Sequence, residues 1–133
     1  MKYMLDTNIC IYLIKQKPIR VMEKFSAHSV GDIGVSSITV GELWYGVAKS
    51  ERREANEQAL EQFLLPLIVS EFDEGAAEVY GEIRARLEEG RPIGAMDMLI
   101  AAHAVSIGVA LVTNNEREFL RVPELIVENW ASE

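Results

Sequence analysis

The 133-residue chain has a single cysteine, Cys10, and this scarcity excludes a disulfide framework. Cys10 lies in an apolar helical run and is distant in sequence from both histidines, His28 and His103. We therefore expect Cys10 to be a small core residue rather than a nucleophile, and His103 to be a hydrogen-bonded core histidine. A chain without disulfides fits the reducing cytoplasm, which is the expected location.

Long hydrophobic runs are also absent. The most apolar stretch, residues 99–105, contains His103 and soon reaches Gly108, so it is too short to span a bilayer. The N-terminus enters a strand directly and has neither the basic nor the apolar region of a signal peptide. We predict one globular domain over residues 1–133, with no membrane association.

Basic residues are in the minority, with 13 Lys and Arg against 21 Asp and Glu and a net charge of −8. This balance argues against broad electrostatic attraction to nucleic acid. Only four of the acids are Asp. Asp32 lies in a glycine turn and Asp73 precedes a helix as a cap, which leaves Asp6 and Asp97 as the two in apolar surroundings.

Short apolar runs alternate with helical patterns along the chain. We predict buried strands at residues 3–5, 33–35, 67–69 and 109–112, a short last strand within 123–127, and helices near 7–14, 19–25, 38–50, 51–61, 73–89 and 96–104. This alternation predicts an α/β fold whose parallel sheet has four to five strands and is flanked by helices on both faces.

Three acids stand in places that suit a ligand site. Asp6 directly follows the first strand, at the strand end where open parallel sheets bind ligands, although it is equally suited to cap the next helix. Glu42 has no basic residue three or four positions away on its helix. The alternative to a ligand role is that Glu42 is an exposed residue at the edge of an amphipathic helix. Asp97 begins a helix that is apolar nearly all round, where the helix dipole alone would favour a negative charge.

Asn115 follows the strand at 109–112, as Asp6 follows the first strand. Right-handed crossovers bring these two strand ends to one edge of the sheet, so we expect Asp6, Glu42, Asp97 and Asn115 to face one crevice. Three carboxylates without a basic partner cannot all stay ionised in a dry site unless a cation joins them. Oxygen ligands without Cys or His favour Mg²⁺ or Mn²⁺, and such a site suits water attack on a phosphodiester that leaves a 5′-phosphate and a 3′-hydroxyl.

Four segments carry a family resemblance: residues 4–8 (MLDTN), 36–46 (SSITVGELWYG), 90–97 (GRPIGAMD) and 112–119 (VTNNEREF). They resemble the signature blocks of PIN-domain ribonucleases, and most of all VapC-type toxins of bacterial toxin–antitoxin pairs. The resemblance covers essentially the whole chain. It implies a PIN-like fold in which Asp6, Glu42 and Asp97 are the metal-binding carboxylates.

The same resemblance implies further properties. It implies an RNA substrate, frequently transfer RNA, a homodimer, and a VapB-type antitoxin whose C-terminal segment covers the groove. The family often has Asp where Asn115 stands, so either Glu116 or Glu118 is expected to supply the missing acid, and Thr113 matches the family's hydroxyl near the site. Phosphate binding by so acidic a protein would require its cations to concentrate near the groove; the candidates are Lys15, Lys17, Arg84, Arg86 and Arg91.

Three alternatives are distinguishable. A phosphoacceptor receiver domain needs a second acid near Asp6 and a Lys after the last strand, and this sequence has neither. A haloacid-dehalogenase-type phosphatase needs an acid two residues after Asp6, where this sequence has Asn8. The third alternative is a catalytically silent PIN fold that acts as an RNA-binding or scaffold protein. Its expected sign is the loss of one of the three acids, and all three are present.

Overall fold

A single parallel sheet of five strands organises the molecule. The computed structural model describes residues 1–88, 90 and 93–132. The strands are β1 (Tyr3–Leu5), β2 (Ile33–Ser36), β3 (Ile68–Ser70), β4 (Ala110–Val112) and β5 (Val127–Glu128), arranged in the order β3-β2-β1-β4-β5. Every neighbouring pair is parallel, which confirms the predicted sheet and its strand count.

The helices connect these strands. They are α1 (Thr7–Lys15), α2 (Ile19–Ser26), α3 (Ser37–Ala48), α4 (Arg53–Leu64), α5 (Glu74–Leu87), α6 (Ala95–Ile107) and the single turn α7 (Glu116–Phe119). The helix predicted over 73–89 begins at its predicted cap, where the Asp73 side chain accepts a hydrogen bond from the Ala76 amide. The predicted end of that helix at Glu89, and the predicted phosphate ligand Arg91, lie outside the described residues.

Successive side chains of the central strands pack into two hydrophobic cores, one on each face of the sheet. Met4 of β1 points into the core formed with α5 and α6, whereas Leu5 points into the core formed with α1, α3 and α4. This division is the consequence of strand geometry, in which successive side chains leave opposite faces. It confirms that helices cover both faces, and it buries Cys10 as expected.

The third strand is less buried than predicted. Its apolar run predicted a buried strand, but Ile68 is 39% and Val69 45% exposed. The reason is position, since β3 is the outer strand on its side of the sheet and pairs only with β2 within the described residues. A short apolar run does not distinguish an edge strand from a central one.

No helix in the described part of the chain is long and apolar enough to cross a membrane.

Candidate active site

Asp6 lies between the end of β1 and the start of α1, and its side chain caps that helix. Its Oδ1 accepts a hydrogen bond of 2.9 Å from the Ile9 amide, so the capping role is real. The residue is only 3% exposed, which is costly for a carboxylate. Burial, followed at smaller size by the charges of Asp97 and Glu42, raises the pKa of Asp6 to about 6.

Thr113 supplies the hydroxyl that opposes this shift. It lies directly after β4, and its Oγ1 accepts a hydrogen bond of 2.9 Å from the Asn115 amide. The hydroxyl hydrogen is therefore available to the Asp6 carboxylate, and that hydrogen bond lowers the pKa of Asp6 against the effect of burial. Asn115 thus contributes its backbone to the site by way of Thr113.

Glu42 is held by a residue of the first helix. It lies on α3, is partly buried, and its Oε1 accepts a hydrogen bond of 2.6 Å from the Thr7 hydroxyl. Thr7 stands directly after Asp6, so the residue that donates to Glu42 is the chain neighbour of the first acid. The sequence identified Thr7 only as a helix-start residue, because its partner lies 35 positions away.

Asp97 stands in the first turn of α6, as predicted. Partial burial, and then the charges of Glu42 and Glu118, raise the pKa of the Asp97 carboxyl. Glu118 lies on α7 and accepts a hydrogen bond of 3.0 Å from Arg121. Of the two glutamates left open from the sequence, Glu118 acts on Asp97, whereas Glu116 is exposed.

The carboxylates therefore affect one another electrostatically. Asp6 is influenced by Asp97 and Glu42, and Asp97 by Glu42 and Glu118. As their side chains stand, no three His, Cys, Asp or Glu residues of the described chain form a group that would hold a metal ion by themselves. Glu42 accepts a hydrogen bond from Thr7, and Glu118 accepts one from Arg121.

The donor set nevertheless suits a hard divalent cation. Mg²⁺ is usually bound through one or two carboxylates and retains several waters, so it does not require a closed cage of protein oxygens. Burial first, and neighbouring carboxylates second, raise the pKa values of Asp6 and Asp97, and a bound cation would offset both effects. The residues present thus fit such an ion.

A buried polar network fixes the elements that carry two of these acids. His103 of α6 forms hydrogen bonds through Nδ1 to Ser36 Oγ (2.7 Å) and through Nε2 to Ser70 Oγ (3.1 Å). Ser36 also caps α3 by accepting a hydrogen bond from the Ile38 amide. The network therefore joins the helix of Glu42 to the helix of Asp97, and the expectation of a hydrogen-bonded core histidine is confirmed.

Comparison with known proteins gives a consistent result. A family model described as the PIN domain matches residues 3–125. The chain is 47% identical to the tRNA(fMet)-specific endonuclease VapC of Shigella flexneri over 98% of this chain and 99% of that protein. It is 48% identical to ribonuclease VapC2 of Haemophilus influenzae, over 98% of each chain.

Solved structures agree with these sequence matches. The DNA-bound VapBC of Salmonella typhimurium contains a chain with a TM-score of 0.92 and 45% identity, covering 98% of each chain. VapBC2 of Rickettsia felis, bound to a DNA fragment from its promoter, contains a chain with a TM-score of 0.91 and 44% identity, covering 98% of this chain and 99% of that one.

Proposed function

The chain belongs to the PIN-domain family, and from this premise we propose that it is a VapC-type toxin, an endoribonuclease that cleaves RNA by activating water with a divalent cation. The observation that carries the proposal is the convergence of three acids: Thr7, the neighbour of Asp6, holds Glu42, and the charges of Glu42 and Asp97 both act on the buried Asp6 at the end of β1. Scattered surface acids would not raise one another's pKa values in this way. A cluster of this kind, close to helix starts, is suited to cation-assisted phosphodiester hydrolysis.

We assign Asp6, Glu42 and Asp97 as the metal-binding residues, with Mg²⁺ or Mn²⁺ as the ion. When bound, the ion would supply an acidified water and neutralise charge that develops on the phosphate. The chain's own residues prepare for this: Thr113 and the Ile9 amide orient Asp6, and Thr7 orients Glu42. Asn115 supplies the amide that orients Thr113.

Glu118 is our candidate for the additional acid. Its charge already acts on Asp97, and the Asn115 side chain carries no charge. Glu116, two positions earlier, is exposed and does not figure among the charges that shift Asp97. A role for Glu118 would require its carboxylate to be shared between Arg121 and the site.

Substrate and partner follow from the relatives. Since a relative covering almost the whole chain is named a tRNA(fMet)-specific endonuclease, we propose transfer RNA as the substrate. Since the similar solved structures are VapBC complexes, we propose a VapB-type antitoxin as the partner. The homodimer implied by the family resemblance is part of the same proposal.

The test is cleavage of purified transfer RNA, with Mg²⁺ or Mn²⁺ and after chelation, by the wild type and by Asp6→Asn and Asp97→Asn. We expect chelation and each substitution to lower cleavage at least about 100-fold, because loss of a ligand disrupts cation binding. Glu118→Gln should lower cleavage, whereas its matched control Glu116→Gln should not. RNA binding without cleavage by the wild type would favour the silent scaffold, and full activity of both Asn variants would refute the site.

A further inference from the structure

A cleft beside the C-terminal end of α1 carries positive charge in an otherwise acidic protein. We call it the lysine cleft and define it by Tyr12, Lys15, Lys17 and Asn114, together with the apolar surfaces of Ile11 and Pro18. Its volume is about 540 Å³, and none of its described lining residues is acidic. Within the part of the chain that the structure describes, neither lysine forms a salt bridge. Two lysines without an acidic neighbour in the cleft give it a local positive charge that suits an anionic ligand, in a chain whose net charge is −8.

The backbone brings the two lysines to this cleft by a strained turn. Gln16 has a φ of 61°, in the left-handed region that non-glycine residues adopt only at a cost. The amide of Lys17 donates to the Tyr12 carbonyl oxygen at 3.1 Å, and the amide of Gln16 donates to the Leu13 carbonyl oxygen at 3.2 Å. This pair of bonds is the Schellman motif, which reverses the chain immediately after Lys15. A glycine would adopt the turn at lower cost, so the turn is not explained by local preference.

The lysine cleft adjoins the acids. Asn114 lies between Thr113 and Asn115, and its side-chain amide donates to the Tyr12 hydroxyl at 2.9 Å. Lys15 also lines a second cleft, which contains Thr7 and Glu42. Lys15 thus borders both the cleft that contains Glu42 and the lysine cleft.

The arginines of α5 have different surroundings. Arg84 is engaged by Glu88 at 3.3 Å and by the Tyr80 hydroxyl at 3.1 Å. Arg86 lines a cleft that also contains Glu78, Glu82 and Glu124. Their charge is therefore largely offset by neighbouring acids.

We propose that the lysine cleft is the subsite for the RNA strand next to the bond that is cut. Lys15 and Lys17 bind backbone phosphates, the apolar surfaces of Ile11 and Pro18 accommodate a ribose or base, and the strand continues past Lys15 to Glu42. This inference rests on the proposed function and extends it, since it gives the substrate a path. An RNA strand fits better than an acidic peptide because Asn114, beside Thr113, and Lys15, which also lines the cleft of Glu42, connect the lysine cleft to the acids assigned to RNA cleavage.

The test compares Lys15→Gln/Lys17→Gln with the charge-matched control Arg84→Gln/Arg86→Gln in steady-state cleavage of transfer RNA between about 50 and 200 mM salt. We expect the lysine variant to raise KM about tenfold near 200 mM salt, because two phosphate contacts, at about 0.7 each on a single strand, would no longer release counterions. Its slope of log kcat/KM against log salt should be shallower by about 1.4, at about 0.7 per phosphate on a single strand. The arginine variant should retain the wild-type slope.

Each outcome separates the possibilities. Equal slopes for the wild type and the lysine variant, or a larger effect from the arginine variant, would overturn the subsite while leaving the nuclease intact. Poly-glutamate could inhibit cleavage by the wild type but not by the lysine variant, while the salt slope is the same for both proteins. That result would assign the lysine cleft to an acidic peptide and would also overturn the RNA subsite. A wild type that cleaves no RNA would refute the proposed function, and the subsite with it.

Discussion

Asp6 is stabilising as a hydrogen-bond acceptor and destabilising as a buried charge. The amide of Ile9 and the hydroxyl of Thr113 favour its ionised form, but burial and the neighbouring acids raise its pKa from 3.8 to about 6. A shift of this size corresponds to about 3 kcal/mol at neutral pH. The folded state binds the proton more tightly than the unfolded state, so stability falls as the pH rises from about 4 to about 6, and the cost is complete above that range.

Substitution of Asp6 by Asn should therefore stabilise the metal-free protein near neutral pH. Asn retains the helix cap and removes the buried charge, so the free energy of unfolding should rise by up to about 3 kcal/mol, with the gain vanishing near pH 4. Urea denaturation in the presence of a chelator measures this. Asp73→Asn makes the same exchange at the exposed cap of α5 and should give no such gain. A loss of stability in Asp6→Asn at neutral pH would contradict the prediction.

At the scale of elements, the two helices that carry Glu42 and Asp97 are joined through one histidine. His103 is fully buried, and its two ring nitrogens contact Ser36 at the end of β2 and Ser70 at the end of β3. Burial lowers the pKa of His103, with Asp73 opposing that shift. The neutral ring is therefore favoured, and its one donor and one acceptor are matched by two hydroxyls that can serve either role. This contribution to stability is lost on acidification below about pH 6.5.

Ser36 should matter more than Ser70, because it makes two of these bonds. Ser36→Ala removes the cap of α3 and the partner of His103 Nδ1, and should lower the free energy of unfolding by about 2 kcal/mol. Ser70→Ala removes one hydrogen bond at the edge strand, and should cost about 1 kcal/mol. Chemical denaturation of the two variants at the same pH measures the difference, and equal costs would show that the cap does not contribute.

For the whole molecule, the sequence predicts what depends on local pattern. The alternation of apolar runs and helical segments predicts the parallel sheet, and the positions of Asp6 after β1 and of Thr113 after β4 predict that these two residues share one edge of it. The prediction that β3 is buried was wrong, because an edge position is decided by the order of the strands in the sheet and not by the sequence of the strand itself. The hydrogen bond from Thr7 to Glu42, like the contact of His103 with Ser36, joins residues that are distant in sequence, and no local pattern contains it.

The acid cluster as a whole should make stability depend on divalent cations in a pH-dependent way. At about pH 8 Asp6 is ionised, and a cation that relieves its repulsion with Asp97 should raise the melting temperature. At a concentration 100 times Kd the gain is about 2.7 kcal/mol, or on the order of 10 °C for a domain of this size. Near pH 5 protons compete for Asp6, so the same Mn²⁺ concentration should have a smaller effect. Thermal denaturation with Mn²⁺ at both pH values, against KCl of equal ionic strength, measures this; Asp97→Asn should respond weakly at both, and a wild-type shift independent of pH would place the cation elsewhere.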